Sequence, residues 1–213
     1  MSATDRLEQI GRRFARVAIS VVVARPVLWR FFRGPLRIQF DWLAGGWDQR
    51  RDAVWLASLE AALERLESAP TRVLDVGTGT GAAARLVADR FPAAEVVGVD
   101  FSSDMVDEAR RLLPAGLAGR VRFDVADASA LPFEENVFDL VVLLNMIPFF
   151  DELARVTTPG ATLIVAHSRG SATPFWTPPE TLRARLAEVG FGAFEEIAAG
   201  EGTALLARKA AEG

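Results

Sequence analysis

The chain has 213 residues, half of them hydrophobic and about a quarter charged, which fits one domain with an appendage around a packed core and excludes global disorder. It holds no cysteine, no tyrosine and a single histidine, His167, so disulfides, thiolate metal sites, cysteine nucleophiles and a His-rich metal centre are excluded. The net charge of −4 is uneven: residues 1–40 carry eight arginines against Asp5 and Glu8, which leaves the rest of the chain strongly acidic.

The elements divide into a helical arm or lid over residues 1–70 and an alternating domain over 71–213. Leu7, Ile10, Phe14, Val17 and Val21 step by three and four, one apolar stripe of a helix that Pro26 ends or kinks. The segment 27–47 is basic and aromatic and is punctuated by Gly34-Pro35 and Gly45-Gly46. A helix is expected from about 48 to 67. The longest apolar run, Val17 to Ala24, is flanked by Arg16 and Arg25 and is far short of the ~20 residues of a bilayer span. Asp5, Glu8 and Arg16 argue against a secretory signal, so a cytoplasmic protein is expected.

From Thr71 onward, strands are expected near 72–76, 95–100, 120–125, 138–144, 161–167, 191–198 and 203–208. Helices are expected near 80–90, 103–113, 149–156 and 178–189. This alternation predicts a Rossmann-like, doubly wound α/β sheet of seven strands, mostly parallel, with helices on both faces. Only Ala199-Gly200-Glu201-Gly202 separates the last two strands, which predicts an antiparallel C-terminal hairpin at the sheet edge.

Chemistry concentrates where the first strand breaks into Gly77-Thr78-Gly79-Thr80-Gly81. The glycines allow a sharp turn and close approach of a ligand, and free N–H groups at the following helix would favour its anionic end. Gly77-x-Gly79-x-x-Ala82 also satisfies the dinucleotide pattern and does not by itself choose a cofactor. Asp75 precedes the loop, Asp100 ends the second strand where a carboxylate can accept two ribose hydroxyls, and Asp127-Ala128 follows the third. The fourth strand ends at Asn145-Met146, and Ser102 or Ser103 should cap the helix after Asp100.

Leu74-Asp75-Val76-Gly77-x-Gly79-x-Gly81, Gly98-Val99-Asp100-x-Ser102-x-x-Met105, Ala126-Asp127-Ala128-x-x-Leu131-Pro132-Phe133 and Phe138-Asp139-Leu140-Val141 together resemble the class I S-adenosylmethionine-dependent methyltransferases over residues 71–208. The resemblance implies that Gly77, Thr78, Gly79 and Gly81 flank the methionine part of S-adenosylmethionine, whose product is S-adenosylhomocysteine, and that Asp75 orients the loop. It implies that Asp100 and Phe101 hold the ribose side, that Met105 packs on adenine, and that Asp127 with the Ala128 N–H reads the adenine edge. Asn145 is a further cofactor candidate, or a strand-end turn. Phe40-Asp41-x-Leu43-Ala44-x-x-Trp47-Asp48 resembles the family's lid segment, although tyrosine is commoner at Trp47. The span from Asn145 to Gly160 is shorter than usual, so the helix there should be short.

Methyl transfer from a sulfonium is an in-line displacement, and the protein mainly aligns the groups and excludes water. The expected activity is methylation of a small, hydrophobic acceptor at oxygen or carbon. His167 is the candidate base, or else a loop histidine bonded to backbone. Trp42, Trp47, Phe175 and Trp176 are candidate walls of the acceptor pocket. Asp139 reads as structural, and no metal site is expected. Nucleic acid is not expected as a partner, because the main domain is acidic and Asn145-Met146-Ile147-Pro148 replaces the Asn-Pro-Pro-Tyr type of run. The arm is a candidate for peripheral contact with anionic lipid, for packing on the acidic body, or for a homodimer. The competing readings are a non-catalytic S-adenosylmethionine-binding scaffold and a nicotinamide oxidoreductase, the latter lacking any tyrosine and having Lys209 as its one lysine.

Overall fold

The computed structural model describes residues 15–44 and 55–211, and among these the side chains other than those of 39, 40 and 42–44. Seven strands form one sheet: β1 Arg72–Val76, β2 Glu95–Asp100, β3 Val121–Val125, β4 Phe138–Leu144, β5 Thr157–His167, β6 Phe191–Ala199 and β7 Gly202–Lys209. The strand order is β3-β2-β1-β4-β5-β7-β6. The first five strands pair in parallel, while β7 runs antiparallel to both β5 and β6, as the short link 199–202 requires.

Alternation along the strands builds two cores. Leu74, Val76, Val141, Leu143, Leu163 and Val165 face one, while Val73, Leu140, Val142, Ile164, Ala166 and Leu206 face the other. The second core is covered by α3 Ala57–Leu63, α4 Ala82–Arg90 and α5 Ser103–Arg111, and the first by α6 Phe150–Val156, α7 Pro179–Glu188 and the arm. The arm comprises α1, helical over 15–24 among the described residues, a short 3₁₀ turn at Pro26–Leu28, and α2 Trp29–Ala44.

The expected domain elements occur within a few residues of their sequence ranges. Helix α6 is short, at seven residues. Two differences lie toward the N-terminus. Gly34-Pro35 does not interrupt the second segment: α2 runs through Pro35, because its inward residues Trp29 and Leu36 are buried on the body and tertiary packing outweighs the lost hydrogen bond. The expected helix 48–67 is helical at Ala57–Leu63 and stops at Glu64, and its first part lies outside the described residues, as do Leu7, Ile10, Phe14 and Gly45-Gly46. No helix among the described residues is long and apolar enough to cross a membrane.

The arm crosses the C-terminal end of the sheet. On the β5 side, Arg16 donates to the carbonyls of Ser171 (3.0 Å) and Thr173 (3.3 Å), and Arg185 donates to that of Val23 (3.4 Å). On the β2–β3 side, α2 packs on α5.

Candidate functional site

In a doubly wound sheet the crevice lies beyond the strand ends, where the strand order reverses. Here that point falls between β1 and β4. Gly77, Gly79 and Gly81 all have left-handed φ, +73°, +53° and +82°, so the loop needs residues without a Cβ. A Cβ on Gly77 would stand 2.6 Å from Met146 Sδ, and one on Gly81 would stand 2.6 Å from the Phe123 ring.

Four of the loop amides are bonded within the protein. Gly77 and Thr78 N–H both donate to Val99 O (2.8 and 2.9 Å), and Gly81 N–H donates to Thr78 O (2.9 Å). Gly79 N–H donates to Asp100 Oδ2 at 2.9 Å. A pyrophosphate cradle uses such amides for the ligand. This loop spends four of them internally, so at Gly77, Thr78, Gly79 and Gly81 it offers close approach rather than anion capture.

Each acid has a defined setting. Asp75 is fully buried and accepts Thr78 Oγ1–H at 2.6 Å, which ties the strand to the loop. Asp100 is buried and accepts from Ser102 N–H (3.0 Å) as well as from Gly79. Burial pushes its carboxyl up to about 6, against the lowering effect of those N–H groups and with a further push from Asp41. Ser102 caps α5 by accepting Met105 N–H (3.1 Å), and its hydroxyl donates to Asp41 Oδ1 of α2. Met105 is buried in the first turn of α5, Ala128 is buried, and Phe101 packs partly buried against the first core.

Asp127 is half-buried. Burial raises its carboxyl, but hydrogen bonds from Ser129, Trp29 and Arg33 outweigh this and hold it below the ordinary carboxylate range. Trp29 Nε1–H donates to Oδ1 at 2.8 Å, and Arg33 donates to Oδ2 at 3.3 Å. Sequence reasoning missed Trp29 as a site residue. Its spacing with Phe32 and Leu36 on one helix face was the available signal.

The β4–β5 side holds the remaining candidates. Asn145 stands at φ +54° and is bonded to Ser168 at both ends of its amide. His167 is buried, with Nε2–H donating to Phe175 O at 3.1 Å and its ring 5.1 Å from that of Trp176. Burial pushes it down to about 4, so it is neutral at pH 7. Phe175 and Trp176 therefore belong to a loop fastened on His167. Trp47 and the Trp42 side chain lie outside what is described. Asp139, read as structural, accepts Thr71 N–H (2.8 Å), Thr71 Oγ1–H (2.6 Å) and Arg72 N–H (2.9 Å), pinning the start of β1 to β4.

A glycine turn after β1, acids at the ends of β1 and β2 and just after β3, and a crevice at the reversal of strand order define a Rossmann-like fold with a candidate cofactor crevice. In comparison with known proteins, residues 73–160 match the methyltransferase domain family. A Thermus thermophilus demethylmenaquinone methyltransferase is 46% identical over 124 residues, covering 54% of this chain and 52% of that one. A Geobacter sulfurreducens malonyl-[acyl-carrier protein] O-methyltransferase is 43% identical over 86 residues, covering 40% of this chain and 32% of that one. The chain thus spans about half or less of the length of these relatives. In fold, it is similar to a chain of the Haloferax volcanii complex between the Trm112 methyltransferase activator and a methyltransferase, with a TM-score of 0.68 at 20% identity over 80% of this chain and 97% of that one. Residues 73–160 are thus similar in sequence to a methyltransferase domain, carried on a Rossmann-like sheet.

Proposed function

We propose that this protein transfers the methyl group of S-adenosylmethionine to a small, apolar acceptor at oxygen or carbon. The carrying observation is the loop at 77–81: its glycines permit close contact, while four of its five amides are already bonded within the chain, which suits a cofactor without phosphate and disfavours a nicotinamide dinucleotide. The bound sulfonium supplies a methyl group already activated for displacement. In this reading Asp75 and Thr78 set the loop beside the methionine part with Gly77, Gly79 and Gly81. Asp100, between Gly79 and Phe101, takes the ribose hydroxyls. Met105, Asp127 and Ala128 form the adenine end.

Asn145 and Ser168 brace the strand tips on the acceptor side. His167, kept neutral and with Nε2–H fixed on Phe175, has Nδ1 left to accept a hydrogen bond or a proton from an acceptor hydroxyl. Phe175 and Trp176 wall that side, and α2 lies over the crevice and excludes water; Trp42 and Trp47 are the candidates to extend that lid. Calorimetric titration with S-adenosylmethionine and with NADH, followed by methyl transfer to quinols and phenols, tests this. Binding of NADH alone overturns it, and binding of S-adenosylmethionine without turnover favours the scaffold.

The apolar acceptor is supported by the arm's outer surface. Val27, Phe31 and Ile38 are 66%, 61% and 70% exposed and interleave with exposed Arg30, Arg33 and Arg37. Arg30 lies over the Phe31 ring at 4.7 Å. A basic, apolar helix face of this kind suits an anionic lipid surface that holds a lipophilic substrate, in line with the quinone named for the Thermus relative. Sedimentation with phosphatidylglycerol vesicles at low salt, lost in the R30E/R37E variant, is expected. Equal recovery with phosphatidylcholine vesicles or with none would remove the idea.

A further inference from the structure

We propose that Trp29 occupies the adenine position of the crevice, so that α2 must withdraw before the adenosyl group binds. The proposal rests on the reading of Asp127 as the adenine-facing acid. Such a subsite needs a flat apolar slot with an acceptor at its rim, and the Trp29 indole meets that description from inside the chain. It is 4% exposed, its single N–H donates to Asp127 Oδ1 at 2.8 Å, and its ring meets those of Phe101 and Phe149 edge-on at 5.5 and 5.6 Å.

Asp127 is also heavily engaged. Oδ1 accepts Ser129 N–H (2.9 Å) and Ser129 Oγ–H (2.7 Å) besides the indole, and Oδ2 accepts from Arg33. An adenine amino group arriving with α2 in place would find that carboxylate already engaged by four donors. Farther along the same helix, Asp41 accepts the hydroxyl of Ser102, whose N–H is bonded to Asp100. Helix α2 thus touches both the adenine-facing acid and the neighbour of the ribose-facing one. Beside the indole a cavity of about 310 Å³ opens, lined by Arg30, Arg33 and Arg185 together with Asp151 and Glu152. The helix is therefore not packed against α6 and α7 along that flank.

The consequence is quantitative. When only the open fraction binds, apparent affinity is reduced by that fraction, and removing the plug restores it. Titration of the full chain with S-adenosylhomocysteine should give Trp29→Ala and Trp29→Phe tighter binding, about tenfold for Trp29→Ala if one molecule in ten is open. Arg33→Ala should shift in the same direction. In the wild type, ligand should red-shift tryptophan emission and raise iodide quenching as Trp29 leaves its pocket, and Trp29→Phe should lose that change. If Trp29 instead stacks on adenine, Trp29→Ala will bind more weakly and the proposal falls. It falls equally if both Trp29 variants bind as the wild type does or if emission does not depend on Trp29. Asp127→Ala made in the Trp29→Ala background, where the plug is already gone, separates the two readings. Weaker binding there than in Trp29→Ala, with no gain in the Trp29 variants themselves, sinks the plug alone. Binding equal to that of Trp29→Ala sinks the adenine assignment and the plug with it.

Discussion

Asn145 and Ser168 are joined twice: Asn145 Nδ2–H donates to Ser168 Oγ at 2.9 Å, and Ser168 N–H donates to Asn145 Oδ1 at 3.1 Å. Asn145 N–H also reaches Ala166 O at 2.9 Å, so the ends of β4 and β5 are locked at the rim of the crevice. Ser168 is 2% exposed and would have no water to replace a lost partner.

That clamp separates two costs. Asn145→Gly keeps the left-handed backbone and loses the amide, which should destabilise by about 1–3 kcal/mol through the buried groups left unsatisfied on Ser168. Asn145→Ala adds a left-handed residue with a Cβ, about 1–2 kcal/mol more. Urea unfolding should rank wild type above Gly above Ala, and equal midpoints for the two variants would show that the φ of +54° carries no strain.

The glycine loop predicts an unequal pair. At Gly77 a new Cβ meets the flexible Met146 side chain, which can swing aside. At Gly81 it meets the Phe123 ring (2.6 Å) and the Ala109 Cβ (3.2 Å), both inside the second core. Gly81→Ala should therefore lower the thermal midpoint more than Gly77→Ala, by about 1–3 kcal/mol in stability terms. Adding Met146→Ala to Gly77→Ala should recover the contact part of its loss and leave the backbone part. A Gly77→Ala chain as unstable as Gly81→Ala contradicts this.

The sheet was legible because its strands are short apolar runs that end at glycine or an acid, and two-sided burial makes those runs conspicuous. Asp75, Asp100 and Asp127 were legible because they recur just where strands stop. The destination of the loop amides was not, since it depends on Val99 O and Asp100 of the neighbouring strand, a tertiary pairing that the local run 77–81 does not encode. Trp29 was hidden for the same reason. Its partner Asp127 is 98 residues away, and Pro35 advertised a break in a helix that packing holds continuous. His167 was legible only as a strand-end residue, because its low basicity comes from burial under the loop 168–178.

Asp100 and His167 tilt stability in opposite directions. Asp100, raised from 3.8 to about 6, binds its proton more tightly in the folded chain, so its contribution is full below about 3.8 and is lost as pH rises through about 6. His167, lowered from 6.5 to about 4, binds its proton more tightly when unfolded, so its contribution is present above about 6.5 and is lost as pH falls through about 4. Between about pH 4 and 6 the slopes oppose, each roughly 1.4 kcal/mol per pH unit at most. His167→Gln should therefore lose stability on going from pH 4 to 6 relative to wild type, and Asp100→Asn should gain it. Parallel midpoint curves for all three proteins would refute the assignment.

The same carboxyl sets a pH limit on cofactor affinity. A carboxylate accepts both hydroxyls of a ribose, whereas a protonated carboxyl has one oxygen that must donate. With Asp100 titrating near 6, binding of S-adenosylhomocysteine should be constant above about pH 7 and weaken below 6, approaching tenfold per pH unit well under that point. His167 does not produce this edge, since it stays neutral until about pH 4. Asp100→Asn should bind weakly at every pH and without the edge. A wild-type affinity that is flat from pH 7 to 5 would mean that the ribose does not meet this carboxyl, and the cofactor would then have to lie elsewhere along the crevice.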